Sequence, residues 1–368
     1  MQITRTIPII IEELQEIKDL VSEFTRYKRE ISSIEFNSGK ILSAVNLHHK
    51  VYHHTETTLN SQMRCSAIRS VIAAYTSAKS NKRPAKKPFI FKRKHALFLF
   101  NRDFSFTRNK ALLSITSSKG RIKIPYRIPE YAQDDFKNAI KYNSITANEK
   151  GQLKLIITLE VPEPSGDIPV GIDLGATNAL VASTENDTLF ISGKEQKFLN
   201  QKTRKTRQRL QRKLSDRKAQ NKDTRSVRRV LKRLGRKQSN RSLTFCRETA
   251  ANLCRWVPNN SVLVFEDLRI KQVRKGRKQR KGTNRKLSQW FYGMMITACS
   301  NRAARDGIAI SFVDPAYTSQ RCNKCGQLGN RQGHNFTCSC GYTGHADVNA
   351  SHNVRLSFTV LRSSGLLS

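Results

Sequence analysis

The sequence predicts a multidomain chain that joins an α+β half to an α/β half. Helical periodicity runs from Ile11 to about Ser80, where Leu14, Ile17 and Val21 share one face, as do Ile68, Ile72 and Tyr75. Short strand-like runs separated by Asn, Asp, Gly and Pro then fill residues 89–161. Beyond them, the apolar runs around Val170 and Val262 are too short for helices and suit strands covered on both faces.

Taken in order, residues 2–10 alternate weakly and form one strand, and Ile41 and Val45 extend the helical segment. Pro84 and Pro88, with Lys82, Arg83, Lys86 and Lys87, end the helices. Strands at 96–100, 111–116, 121–124 and 153–161 argue for an antiparallel sheet or small barrel. Residues 161–166 (Val-Pro-Glu-Pro-Ser-Gly) read as a linker. Residues 170–181 then give a buried strand, a turn bearing Gly175 and Asn178, and a second strand. A further strand follows at 308–313, after a helix at 288–306, and Asp347 to Ser351 opens the last helix.

The chain of 368 residues carries a formal charge of +39, from 67 Lys and Arg against 28 Asp and Glu. A protein so basic repels itself unless it meets a polyanion, and nucleic acid is the commonest large one in a cell. Residues 194–287 hold 32 Lys and Arg against six acids, a net of +26. Within them Leu210, Leu214, Val227, Val230, Leu231 and Leu234 keep a thin apolar stripe under basic helical faces. Eighteen cations between 202 and 241, opposed only by Asp216 and Asp223, exceed what a solvated helix face needs. Lys271 to Arg285, with Gly276 and Gly282, has no apolar periodicity and reads as a loop. No run reaches the length of a membrane span, and residues 7–13 lack the basic start and cleavage site of a leader. These features set the expectation of a cytoplasmic, nucleoid-associated protein with no membrane partner.

Two constellations carry chemistry. Asp173 lies inside one apolar strand, Glu266 ends another, and Asp347 stands at a helix start. A buried lone carboxylate costs several kcal/mol unless cations or donors meet it. Acids gathered from these three elements suit Mg²⁺, and two ions about 4 Å apart would clamp a phosphodiester. On spacing alone, turn-forming and helix-capping roles explain the same acids equally well. The second constellation is Cys322-Asn323-Lys324-Cys325-Gly326 with Cys338-Ser339-Cys340-Gly341, four thiolates in two knuckles suited to one structural Zn²⁺. Its second half is C-x-C rather than C-x-x-C, and His334 or His345 could replace one ligand. Cys65, Cys246, Cys254 and Cys299 are scattered and read as core thiols. His49 and His53 lie one helical turn apart, but nothing nearby completes a ligand set, so they read as a polar helix face.

At these residues the chain resembles the TnpB family, transposon-encoded RNA-guided DNA nucleases related to compact type V CRISPR effectors. Gly171-Ile172-Asp173-Leu174-Gly175 looks like the first RuvC motif, and Val264-Phe265-Glu266-Asp267-Leu268 like the second. The run from Pro315 to Gly326 (PAYTSQRCNKCG) is similar to the family's zinc-ribbon approach, and His345-Ala346-Asp347-Val348-Asn349-Ala350 to the third RuvC motif. Weaker similarity includes Leu59 to Arg64.

The resemblance implies a C-terminal RNase H-like (RuvC) core with an inserted zinc ribbon. It also implies an N-terminal wedge-like β-barrel interrupted by a helical recognition insert. The implied limits are 1–10 and 84–165 for the barrel and 11–83 for the insert. The core takes 166–314, with basic helices 195–257 and a lid loop 269–287, the ribbon 315–342, and a closing part 343–368. Asp173, Glu266 and Asp347 become ligands of two Mg²⁺, and Cys322, Cys325, Cys338 and Cys340 ligands of one Zn²⁺. The partners implied are a guide RNA from the transposon end and target double-stranded DNA, with one protein copy per RNA and a short adjacent motif read by the protein. Expected nucleic-acid contacts are Arg204, Arg207, Arg212, Arg225, Arg228, Arg229, Lys232 and Arg236 on the helices, and Arg274, Lys275 and Arg277 on the loop. Actin-like ATPases share an Ile-Asp-Leu-Gly turn, but the charge, the ribbon and the lack of a second phosphate loop argue against them. A compact CRISPR effector, a non-cleaving guided repressor and a guide-independent zinc-bearing nucleic-acid binder are the alternatives.

Overall fold

The computed structural model describes every residue except 13, 53–54, 108, 110–111, 118–119, 176, 269–291 and 365–368. Two compact units divide the chain: residues 2–160 form one, and residue 1 with 161–368 the other.

The first unit runs β1 (Gln2–Ile9), α1 (Gln15–Asn37), α2 (Ala44–Tyr52), α3 (Ser61–Ser80), β2 (His95–Leu99), β3 (Phe104–Phe106), β4 (Leu112–Ser117), β5 (Gly120–Pro125), α4 (Gln133–Lys137), β6 (Ala139–Asn148) and β7 (Leu153–Glu160). Two antiparallel sheets result, in the orders β1-β7-β6-β2 and β3-β4-β5. β1 lies in full register along β7, from Gln2 opposite Glu160 to Ile9 opposite Leu153. No side chain caps α1, and its stability comes from the buried stripe Ile17, Leu20, Val21, Phe24 and Ile31. α3 starts conventionally, with Asn60 Oδ1 accepting the Met63 N–H at 2.8 Å. Lys28 is fully enclosed, its ammonium 4.6 Å from the Phe91 ring centroid, and burial pushes it down to about 8.

The second unit runs β8 (Ile168–Asp173), β9 (Asn178–Ser183), β10 (Thr188–Ser192), α5 (Lys194–Ala219), α6 (Arg225–Trp256), β11 (Ser261–Glu266), α7 (Tyr292–Asp306), β12 (Ala309–Val313), β13 (Asn330–Gln332), β14 (Asn335–Thr337), β15 (Thr343–His345) and α8 (Ala346–Ser363). Its main sheet has the order β10-β9-β8-β11-β12, with β8, β11 and β12 paired in parallel and β9 antiparallel to both β8 and β10. Val170, Ile172, Leu263 and Phe265 face one side and pack with Cys246, Ala250, Leu253, Met295 and Cys299 of α6 and α7. Val262, Val264 and Val313 face the other, against Val354 and Phe358 of α8. Cover on both faces explains why the central strands are apolar without alternation. Residues 161–166 are less a spacer than the reading of the sequence implied. Ser165 bridges Ile308, and Gly166 lies so close to Ser261 that a Cβ there would stand 2.2 Å from its carbonyl oxygen. No helix among the described residues is long and apolar enough to cross a membrane.

Candidate metal centre

Strand parity brings the acids together. Side chains alternate across a sheet, so Gly171 and Asp173 share the face of β8 that meets α8, as Val262, Val264 and Glu266 do on β11. Phe265 pairs with Ile172 in parallel register, which sets Glu266 beside Asp173 at the carboxyl ends of the strands. Gly171 provides the close approach of the helix, for a Cβ there would lie 2.0 Å from the Ser351 carbonyl oxygen. The Ser183 and Ser351 hydroxyls bond across the same contact. Asp347 stands one turn before Ser351 on α8, and the helix runs opposite to β8, with Arg362 bonded to Asp167 at its far end. Asp347 therefore hangs over Asp173.

The electrostatics follow from this crowding. Burial, then the charges of Glu266 and Asp347, push Asp173 up to about 7, partly offset by Arg331. Burial likewise raises Glu266, against the Thr318 hydroxyl, which donates to Glu266 Oε1, and Arg331. Asp347 is buried, and Arg331 Nη2 pairs with its Oδ1 at 2.6 Å. Asn178 Nδ2 donates to its Oδ2 at 2.8 Å, and the Asp347 N–H donates to His345 Nδ1 at 3.2 Å. One buried carboxylate (Asp347) and two half-buried ones (Asp173 and Glu266) against one guanidinium leave an excess of negative charge that a divalent cation with oxygen preference would resolve. Asp267 has the opposite parity and is exposed. Arg331, Asn178 and Thr318 were not foreseen. Each is an ordinary polar residue in sequence, and only the closed fold brings it to the acids.

All four predicted cysteines meet. Their Sγ atoms lie within 4.8 Å of one another, with Cys322 to Cys340 at 3.8 Å and Cys325 to Cys338 at 3.6 Å. A tetrahedron of Zn–S bonds near 2.3 Å has edges of about 3.8 Å, so the donor set fits zinc. Gly326 and Gly341 adopt φ of +75° and +87°, and their N–H groups donate to the carbonyls of Cys322 and Cys338. The positive φ at Gly341 lets the shortened C-x-C half close. His334 and His345 do not join the thiols. Their rings stack at 5.3 Å and group with Asp347, which removes them as zinc substitutes. Cys246 and Cys299 are buried core thiols, while Cys65 and Cys254 are only partly covered.

The basic helices α5 and α6 pack through a polar seam: Gln196 Nε2 donates to Ser242 Oγ at 2.8 Å, and Arg241 Nη2 to Asn200 Oδ1 at 3.0 Å. Arg212, Arg225, Arg228, Arg229, Lys232 and Arg236 are exposed, whereas Arg204 and Arg207 are half-buried. Arg274, Lys275 and Arg277, the expected lid loop 269–287 and His53 lie outside the described residues.

Residues 292–354 match the family described as Cas12f1-like, TNB domain, and residues 147–286 the family described as probable transposase. The chain is 37% identical over 98 residues to a TnpB-like protein of Aquifex aeolicus (strain VF5), covering 25% of this chain and 31% of that one. It is 32% identical over 201 residues to a provisional RNA-guided DNA endonuclease, InsQ, of Escherichia coli (strain K12), covering 50% and 48%. The matched part is thus less than half the length of these curated relatives. In structure the chain is similar to Cas12f1 in its sgRNA–target DNA complex, with a TM-score of 0.60 at 16% identity, over 93% of this chain and 83% of that one. It is also similar to the mini-RNA-guided endonuclease CRISPR-Cas phi3, with a TM-score of 0.58 at 15% identity, over 96% and 92%. That likeness defines a compact type V-like fold of mixed α and β content with a four-cysteine cluster. Joined to the family matches and the sequence relatives, it supports a TnpB-type protein.

Proposed function

We propose that this chain is an RNA-guided DNA endonuclease of the TnpB type, cutting phosphodiesters after a guide RNA pairs with its target. The observation that carries the reading is the meeting of Asp173, Glu266 and Asp347 under a shared burden of negative charge. In this reading 166–314 and 343–368 form a RuvC-like, RNase H-like core, 315–342 its zinc ribbon, 1–10 and 84–165 a wedge barrel, and 11–83 a recognition insert. The guide derives from the transposon end, one protein copy acts per RNA in the cytoplasm, and the protein reads a short motif beside the target.

The three acids would hold two Mg²⁺, which supply charge stabilisation at the phosphate and an activated water. The chain's own residues hold those acids in place. Thr318 orients Glu266 through its hydroxyl, and Asn178 fixes Asp347 through Oδ2. Arg331 offsets charge at Oδ1 of Asp347. The exposed cations of α5 and α6 take phosphates of the RNA and the heteroduplex, which gives affinity without sequence information.

Alanine at Asp173, Glu266 or Asp347 is expected to cut target nicking by about 10²–10³-fold or more while guide and target binding persist. Asp267→Ala, from the exposed neighbour, should nick normally. Near-normal nicking by any of the three variants in Mg²⁺ sinks the assignment. The 40% identity over 77 residues to a CRISPR-associated Cas12f1 of Sulfoacidibacillus thermotolerans favours a second reading, a compact CRISPR effector. Sequencing the RNA that co-purifies from the native locus separates the two. Transposon-end RNA supports the first, repeat–spacer RNA the second, and random cellular RNA neither.

A further inference from the structure

The loop that supplies Thr318 also holds a tyrosine in a conformation that folding does not explain. Tyr317 has φ of +63°. Among the described residues the other non-glycine positions with positive φ are Lys82 and three asparagines, Asn101, Asn221 and Asn260. Asparagine tolerates that region, whereas a bulky side chain rarely enters it. Burial cannot offset the strain, because Tyr317 is 53% exposed.

Its surroundings are nevertheless tightly fixed. Thr318 is buried and bonded to Glu266, and Asn353 of α8 donates to the carbonyls of Thr318 at 2.8 Å and Arg321 at 2.7 Å. Asn349 donates to the Arg321 carbonyl at 2.6 Å, and the Gln320 and Arg321 N–H groups both donate to the Tyr317 carbonyl at 2.9 Å. The exposed guanidinium of Arg321 lies 5.5 Å from the Tyr317 ring centroid. A rigid backbone thus presents an aromatic ring, backed by a cation, to solvent one residue from the side chain that bonds Glu266. Strain kept at such a place marks function, and aromatic rings beside cations are what unpaired bases stack on.

We propose that Tyr317, with Arg321 behind it, is a stacking platform for a nucleobase of the strand being cut, and so sets which phosphate reaches the acids. The platform rests on the nuclease reading given above. A base lies one sugar from its phosphate, so a ring one peptide away from Thr318 is within reach of a nucleotide held at Glu266. Tyr317 is then a positioning residue rather than a catalytic one.

The test uses the full protein with its guide and targets in which a single abasic nucleotide is walked across the cleavage site. Wild type should lose about tenfold in nicking rate at one abasic position, the scale of one stacked base. Tyr317→Gly should lose about tenfold on intact DNA and be indifferent to that abasic position, and Tyr317→Trp should restore both rate and sensitivity. The melting temperature of Tyr317→Gly should equal or exceed that of wild type, because glycine accepts the left-handed backbone. A wild type that cuts while Tyr317→Gly matches it overturns the platform alone. Unchanged abasic sensitivity in Tyr317→Gly, or a lowered melting temperature, does the same. A wild type that cuts no guided target overturns the nuclease reading and the platform with it.

Discussion

Gly171 shows how one hydrogen atom controls the acid cluster. The atoms nearest an added Cβ belong to the backbone of Ser351 and Arg355, at 2.0 and 2.5 Å, so no rotamer change relieves the contact. Gly171→Ala must lift α8 from the sheet and carry Asp347 away from Asp173. A loss of about 3 kcal/mol or more is expected in denaturant unfolding, at the severe end of overpacking, together with lost nicking. At this scale Asp173 and Glu266 were legible, because an acid in an apolar strand stands out against its neighbours. The glycine's role was not, since its partner lies 180 positions away by number, at Ser351. Arg331 and Asn178 were hidden for the same reason. Nothing about a tyrosine in sequence announces the positive φ of Tyr317.

Among the elements, the cysteine hairpin was the easiest to read and the central strands next. Paired thiols followed by glycine leave few alternatives, and the C-x-C half changes the local turn without scattering the ligands. β6 does not stand out in sequence because polar residues interrupt Ala139–Asn148, and β10 because the apolar run in Thr188–Ser192 is only three residues long. The hairpin also touches the acid cluster. Arg331 sits on β13 and His334 in the turn before β14, and both reach Asp347. About one zinc per chain should be found by metal analysis. Its removal by chelator should raise hydrogen exchange through residues 322–345 and free Arg331 from Asp347, at unchanged exchange in residues 2–160. Absence of zinc from active protein, or unchanged exchange on its removal, would count against this coupling.

Over the whole molecule, charge was the plainest property in the sequence and the pairing of distant strands the least plain. No local pattern says that β1 pairs with β7, because sheet partners are chosen by what remains uncovered after everything between them has folded. The charge carries its own expectation. With six exposed cations of α5 and α6 on phosphates, affinity for nucleic acid should fall by about 10³-fold between 50 and 200 mM salt. Arg228→Gln or Arg236→Gln should each lower the slope of log affinity against log salt by about one, equally on all sequences. A salt-independent affinity would remove these helices from the interface. The acid cluster, meanwhile, is assembled from positions 173, 266 and 347, and its last member arrives on the helix that covers Gly171. A chain that ends before residue 346 has two of the carboxylates on a sheet whose α8 face is open, and no third. In the proposed nuclease, translation order would therefore complete the acid cluster only after the basic helices and the ribbon have been made.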